Sequence, residues 1–281
     1  MTKLHITAAC ALAALALASC TEEETESRQT TDTRHPITLT AAWPSATADA
    51  PPTRVVDFES GNDINSRWTT GDKIRVTVRS VTTGISMSNT CELFYNGDVR
   101  SYDPQLYWQT VGPHTVSAWY SNITDGATTD HTVRLRDQTS ALAYVLKAEP
   151  IVCTYAVKPV GDINMRFVHQ LAKVRVKLTA APGSTANLST AWVRLRQCYT
   201  SCTIDEGTVT PTGTADGEIA MKRPSSTDGF FEANVIPDAP GTMRQDKAVE
   251  VSVEGTVTQR SLSHPVTFEA GKMYTLCFTV D

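Results

Sequence analysis

The chain has 281 residues, a formal charge of −5 and a pI near 5.7, with 41 % apolar and 20 % charged residues. That length and balance fit a folded protein of two compact domains, each able to bury a core. The acidic balance supplies no basic field for nucleic acid, and no later apolar run approaches bilayer-spanning length.

At the start, Lys3 precedes an apolar run over residues 8–18 that is too short for a permanent membrane helix. Small residues and Cys20 follow. This is the layout of a cleaved export signal, assigned to residues 1–19. Leu17-Ala18-Ser19-Cys20 resembles the bacterial lipobox, in which the cut falls before the cysteine. The resemblance implies a lipid-modified Cys20 carrying a diacylglyceryl group and a palmitate-type N-acyl chain. Several buried chains anchor a protein far more firmly than one. Glu22-Glu23-Glu24 resembles the surface-export signal of lipoproteins in certain Gram-negative anaerobes, and it also fits a plain solvated tether. Residues 20–35 are therefore expected to be a lipidated, flexible tether holding an outward-facing body at the outer membrane.

Ile37, Leu39 and Ala41 alternate with Thr38 and Thr40, which predicts a strand with one buried face. Trp43-Pro44 ends it, and residues 45–53, with Pro51-Pro52, read as an exposed loop closing on Arg54. An arginine in an accessible loop is a good substrate for a trypsin-like protease, and it is equally an ordinary loop residue. Trp68-Thr69-Thr70-Gly71-Asp72 reads as a turn into a clean strand. There Ile74, Val76 and Val78 face in and Lys73, Arg75, Thr77 and Arg79 face out. Short β-like runs at 91–95, 106–108, 114–120 and 131–136 are separated by turn residues. Residues 141–147 fit a helical turn or a strand. Pro159 and Gly161 place a boundary near 159, giving an N-terminal β-sandwich at 36–158 and a C-terminal one at 159–281.

In the second part, Val174, Val176 and Leu178 are expected to point inward, and Lys173, Arg175 and Lys177 outward. Further strands are expected at 191–195, 208–209, 217–221, 230–236, 249–257, 266–268 and 273–280. The last sets Tyr274, Leu276, Phe278 and Val280 on one face. Many short strands between turn clusters predict an all-β chain of two consecutive sandwiches.

No motif for catalysis is present: GxSxG, HExxH, GxxxxGK[ST] and GxGxxG are all missing. His114, His131, His169 and His264 stand apart without metal-ligand spacing, so no catalytic residue, metal or cofactor is predicted. Past the leader and the lipidated cysteine, Cys91, Cys153, Cys198, Cys202 and Cys277 are odd in number and irregular in spacing. They read mostly as half-buried strand residues rather than a disulfide framework. Trp43, Trp68, Trp108, Trp119 and Trp192 could line a glycan platform, but strand tryptophans among apolar neighbours more often pack in cores.

Several pieces together resemble the fimbrillin-like proteins, subunits or accessory proteins of type V pili. They are the lipobox at Cys20, Trp68-x-x-Gly71-Asp72-x-Ile74-x-Val76, and Trp108 with residues 116–120. In the second part they are Phe167-x-His169-x-Leu171-Ala172-Lys173-Val174-x-Val176 and Phe268-x-Ala270-Gly271-Lys272-x-Tyr274-x-Leu276. The resemblance implies two transthyretin-like, immunoglobulin-like sandwiches and a surface lipoprotein that is not an enzyme. It also implies assembly by strand addition: an arginine-specific protease removes the first strand, and a neighbouring subunit's strand fills the groove. Ile37, Leu39 and Ala41 would then belong to the plug strand, and Arg54 would be the cleavage position. The implied partners are other pilus subunits, the outer membrane through Cys20, and a host or bacterial receptor if the protein is adhesive. Stalk members carry further C-terminal strands after the Gly-Lys-x-Tyr ending, whereas the present sequence stops at Asp281, so a tip or anchor role is expected. The competing expectation is a surface glycan-binding lipoprotein of a nutrient-uptake system.

Overall fold

Alternation of apolar and polar side chains runs through almost every segment, and the chain folds as β-strands accordingly. The computed structural model describes residues 35–42, 56–60, 63–123, 132–156, 161–225 and 229–281. The first strands are β1 (Leu39–Ala42), β2 (Val56–Ser60), β3 (Asp63–Arg67), β4 (Lys73–Ser80), β5 (Ser86–Leu93) and β6 (Val99–Asp103). Next come β7 (Gly112–Ser121), β8 (Thr132–Arg134), β9 (Val145–Ala148), β10 (Ile151–Tyr155) and β11 (Ile163–His169). The remainder are β12 (Ala172–Ala180), β13 (Trp192–Cys198), β14 (Ser201–Asp205), β15 (Thr208–Thr212) and β16 (Gly217–Ala220). β17 (Phe230–Val235), β18 (Val249–Val253), β19 (Thr256–Arg260) and β20 (Met273–Val280) complete the set. The fold is all-β and built of several sheets, a β-sandwich architecture.

The largest sheet runs β1-β11-β9-β7-β4-β5-β6, with β10 also on β7. Its inward residues include Val76, Val78, Leu93, Val116, Leu146 and Phe167, which with β1 make one buried cluster. A three-stranded sheet, β17-β12-β20, and a four-stranded one, β16-β13-β18-β19, enclose a second cluster around Val176, Val193, Phe231, Val251 and Phe268. Between them lies a third cluster of Leu135, Val145, Leu171, Cys202, Ile204 and Ile236. It sits where β8 pairs with β14. Gln138 ties the same junction: its Oε1 accepts the Ala143 and Asn234 N–H groups, and its Nε2 donates to the Asn234 carbonyl at 2.6 Å. With both its amide oxygen and its amide nitrogen bonded, the polar Gln138 side chain can be buried there.

Several expectations shift. The largest sheet continues past residue 159, because Phe167, Val168 and His169 pair with β9. Of residues 141–147, the last three join β9, so the strand alternative holds at that end. Residues 106–108 and 266–268 make only isolated bridges. Lys173 was expected outside but is 4 % exposed. Its Nζ lies 3.2 Å from Glu232 Oε2 on the neighbouring strand, and Arg175 lies 2.6 Å from the other oxygen, so a shared carboxylate compensates the buried cation. Cys91, Cys198 and Cys202 are fully buried rather than half-buried, and all five described cysteines are free.

Candidate functional site

β1 is the element around which a site can be built. It pairs in parallel with β11, Leu39 opposite Ile163 and Ala41 opposite Met165, and the Ile163 N–H donates to the Thr38 carbonyl at 3.0 Å. Its other flank is bonded too. The Ile37 N–H donates to the Leu106 carbonyl at 2.9 Å and the Ala41 N–H to the Gly97 carbonyl at 2.8 Å. The Trp108 N–H donates back to the His35 carbonyl at 3.0 Å. Bridges join Pro36 to Tyr107 and Thr40 to Asp98, beside β6. β1 thus brings together the two ends of the largest sheet, and both rows of its backbone groups are satisfied.

Ile37, Leu39 and Ala41 are 1 %, 4 % and 2 % exposed and belong to the first buried cluster. Burying an Ile or Leu side chain stabilises by about 1.5–3 kcal/mol, so this short strand contributes well beyond its length. Side chains from elsewhere reach its backbone. Gln105 Nε2 donates to the Ile37 carbonyl at 3.3 Å, and the Leu39 N–H donates to the Tyr102 hydroxyl at 3.2 Å. Burial pushes the Tyr102 phenol up to about 12, helped by the neighbouring Cys91 and Asp162, while the Leu39 N–H bond acts the other way.

Ala41 is the most tightly held of the three. Trp68 Nε1 donates to its carbonyl at 3.0 Å. The indole is itself fixed edge-on between Tyr120, with centroids 5.5 Å apart, and Phe167, at 5.0 Å. Gly97, with φ +87°, approaches the same carbonyl so closely that a Cβ there would lie 2.0 Å from the Ala41 oxygen and 3.3 Å from Trp68 Cδ1. Only glycine tolerates both that contact and that backbone angle. The turn beneath Trp68 is locked by Asp72, whose Oδ2 accepts the Thr69 N–H at 2.8 Å and whose Oδ1 accepts the Tyr120 hydroxyl at 3.0 Å.

The site residues expected from sequence therefore divide. Ile37, Leu39 and Ala41 sit together on one buried face. Cys20, Arg54 and Trp43 lie outside the described residues. The residues that hold β1, namely Gly97, Tyr102, Gln105 and Trp68, were not singled out for that task. A turn sequence Asn96-Gly97 and the Trp68-x-x-Gly71-Asp72 pattern were the available signals, and neither names a distant strand as partner. As for a glycan platform, Trp68 and Trp108 are buried. Trp192 and Trp119 are half-buried, each with an arginine over the ring, Arg194 at 4.7 Å and Arg75 at 5.8 Å. Among the described residues no three His, Cys, Asp or Glu side chains converge as metal ligands.

A family model for fimbrillin-like proteins matches residues 53–281. The chain belongs to the fimbrillin-like family. Solved structures agree at the level of fold. A candidate cell adhesion protein of Bacteroides uniformis is 17 % identical, with a TM-score of 0.61, over 81 % of the present chain and 92 % of that one. Another, from Bacteroides ovatus, is also 17 % identical, with a TM-score of 0.60, over 88 % and 92 % of the two chains. No curated protein matches the fimbrillin-like chain by sequence.

Proposed function

We propose that this fimbrillin-like chain is a cell-surface component of a pilus or related adhesive structure, acting through backbone pairing and not through catalysis. In this reading β1 is a removable plug. Cleavage after Arg54 frees it, and a strand from another subunit takes its place beside β11, bonded to Gly97 and Leu106. The observation that carries the reading is the seat itself: a short strand bonded along both flanks, with three alternating side chains fully buried. Such a seat offers unpaired backbone groups and apolar pockets once emptied, which is the chemistry of strand addition. Family membership supports the pilus or adhesion setting. The proposal includes lipidation at Cys20 and a surface position at the outer membrane. A retained lipid suits a terminal subunit, and an anchor in particular.

Limited trypsin digestion of the folded full chain, followed by mass spectrometry, tests this. The expected result is one dominant cut after Arg54, after which a labelled peptide of residues 35–42 exchanges into the protein. Folded protein that trypsin leaves intact at Arg54, or cut protein that never accepts the peptide, would overturn the plug reading.

A further inference from the structure

Several sheet edges in this molecule are blunted. β15 holds Pro211, β19 ends on Arg260, β16 carries Glu218, and β6 carries Arg100 and Asp103. The outer side of β17 is covered where Glu232 and Lys222 exchange backbone bonds. Proline, charge and cover are the devices that keep an edge from taking up a further strand. β20 has none of them. At eight residues it is the longest edge strand among those described, it runs from Met273 to Val280 without charge, proline or glycine, and it pairs with β12 alone. Its open groups follow from the bonds on its paired side. The Lys173 N–H donates to the Lys272 carbonyl at 2.9 Å, and the Ala181 N–H to the Val280 carbonyl at 2.8 Å. The even-numbered residues therefore bond to β12, and alternation turns the N–H and C=O groups of Met273, Thr275, Cys277, Thr279 and Asp281 to the open side. Thr275, Cys277 and Thr279 are exposed, while Tyr274, Leu276 and Phe278 are only half-buried against the second cluster.

We propose that the open edge of β20 is an interface between two copies of this chain, paired antiparallel about a two-fold axis at Cys277. Charge at the strand ends favours that occupant and that direction. Exposed Lys272 precedes the strand and exposed Asp281 follows it. Antiparallel pairing sets the lysine end of each copy beside the aspartate end of the other, as a self-complementary interface requires, whereas a parallel second copy would set like charges together. The register follows from the open groups. With Cys277 opposite Cys277, Thr275 faces Thr279 and Met273 faces Asp281, so every outward residue exchanges bonds, roughly ten in all. A shift toward Leu276 would set Asp281 opposite Gly271, whose N–H already donates to the Leu171 carbonyl. A shift toward Phe278 would leave Met273 with nothing opposite. On the inner face Leu276 meets Phe278 of the second copy and Tyr274 meets Val280, which continues the apolar surface closing the second cluster. This interface is separate from the seat of β1 and does not depend on the plug reading.

Sedimentation equilibrium of the full chain over a concentration series tests the interface. The parent should dimerise reversibly. Thr275→Pro should weaken the dimer about tenfold or more, because its N–H lies on the open side, where proline suits an edge strand but blocks further pairing. Cys277→Lys and Cys277→Glu each set two like charges opposite one another and should each weaken it by about tenfold or more. An equimolar mixture of Cys277→Lys and Cys277→Glu should associate close to the parent level, a rescue that misfolded variants would not give. A parent chain that stays monomeric at every concentration overturns the proposal and leaves the edge to a strand of some other protein. A dimer that Thr275→Pro and Cys277→Lys leave intact overturns it as well, as does a mixture that associates no better than either variant alone.

Discussion

Among the described strands two pair in parallel beside antiparallel neighbours, a short one and one of the longest: β1 on β11 and β20 on β12. Their partners are successive, so both lie along the stretch 163–180. Beyond that they differ. β1 has four residues in regular pairing, is bonded on both flanks, and keeps its inward side chains almost wholly from water. β20 has eight residues and pairs with β12 alone, so Tyr274, Leu276 and Phe278 remain half-buried and only Val280 is sealed. Besides this pairing, β20 is secured by contacts that lie before it. The Phe268 N–H donates to Asp238 Oδ2 at 2.6 Å, and the Asp238 carboxylate is clasped by Arg244 in a fully buried pair. The Arg244 guanidinium also lies 4.1 Å over the Phe268 ring. The Glu269 N–H donates to the Tyr274 hydroxyl. One strand is bonded along both flanks, the other along a single flank of its whole length and through the turn before it. Between these two strands, side-chain burial follows the number of bonded flanks and not strand length.

The largest effect expected from breaking this contrast comes at Asp238. Asp238→Ala leaves the buried Arg244 without its carboxylate, and losing one partner of a buried pair costs about 3–5 kcal/mol. Urea unfolding should show that loss, while hydrogen exchange should show the Lys173 amide, bonded to Lys272, losing protection well before the Ile163 amide beside β1. Equal loss at the two amides would mean that the start of β20 and the seat of β1 unfold as one unit. Replacing Asp238 and Arg244 together by leucines should recover most of the stability, because no charge is then left buried.

A smaller effect compares one leucine with another. Leu39→Ala empties an enclosed position and should cost about 2–5 kcal/mol. Leu276→Ala removes a side chain that is half in water already, and should cost about 1 kcal/mol by the area it loses. The order of the two urea midpoints carries the test. If Leu276→Ala were the more damaging, the half-open edge of β20 would be contributing more than its burial allows.

Sequence periodicity ranks these strands the other way round, and the reason is physical. Alternation reports which face is apolar, so both β1 and β20 were legible, as were β4 and the inward set Val174, Val176 and Leu178. It does not report who sits beside a strand. The parallel partner of Leu39 is Ile163, far along the chain, and the clamp on Ala41 combines Trp68 with a glycine turn at Gly97. Those contacts exist only after the sheet has closed. Lys173 failed for a related reason: a lysine between apolar residues looks outward until a glutamate on the next strand is known to meet it. The turn residues fared better because their requirement is local, as with Gly71 before β4, which has φ +99°.

The smallest effect separates the two tyrosines that accept backbone N–H groups at these strands. Tyr102 accepts from Leu39, and burial moves its ionisation from 10.0 up to about 12; the Tyr274 phenol, which accepts from Glu269, is also raised by burial. For a group whose folded value is the higher one, the unfolded chain ionises first as pH rises. The stabilising share is thus complete below pH 10 and disappears as pH climbs through about 12. Tyr102→Phe deletes both the bond to Leu39 and this dependence. At neutral pH it should lower stability by about 0.5–1.5 kcal/mol, the usual net worth of one hydrogen bond. Between pH 10 and 12 the gap between parent and variant should narrow, since the parent alone is losing the contribution. Cys91, raised to about 12 by burial, and Tyr274 titrate in both proteins, so their effects largely cancel in the difference. A gap that stays constant across the window would mean that the Tyr102 hydroxyl reaches solvent when β1 is seated, and that the flank of the seat nearest β6 is more open than the one nearest β11.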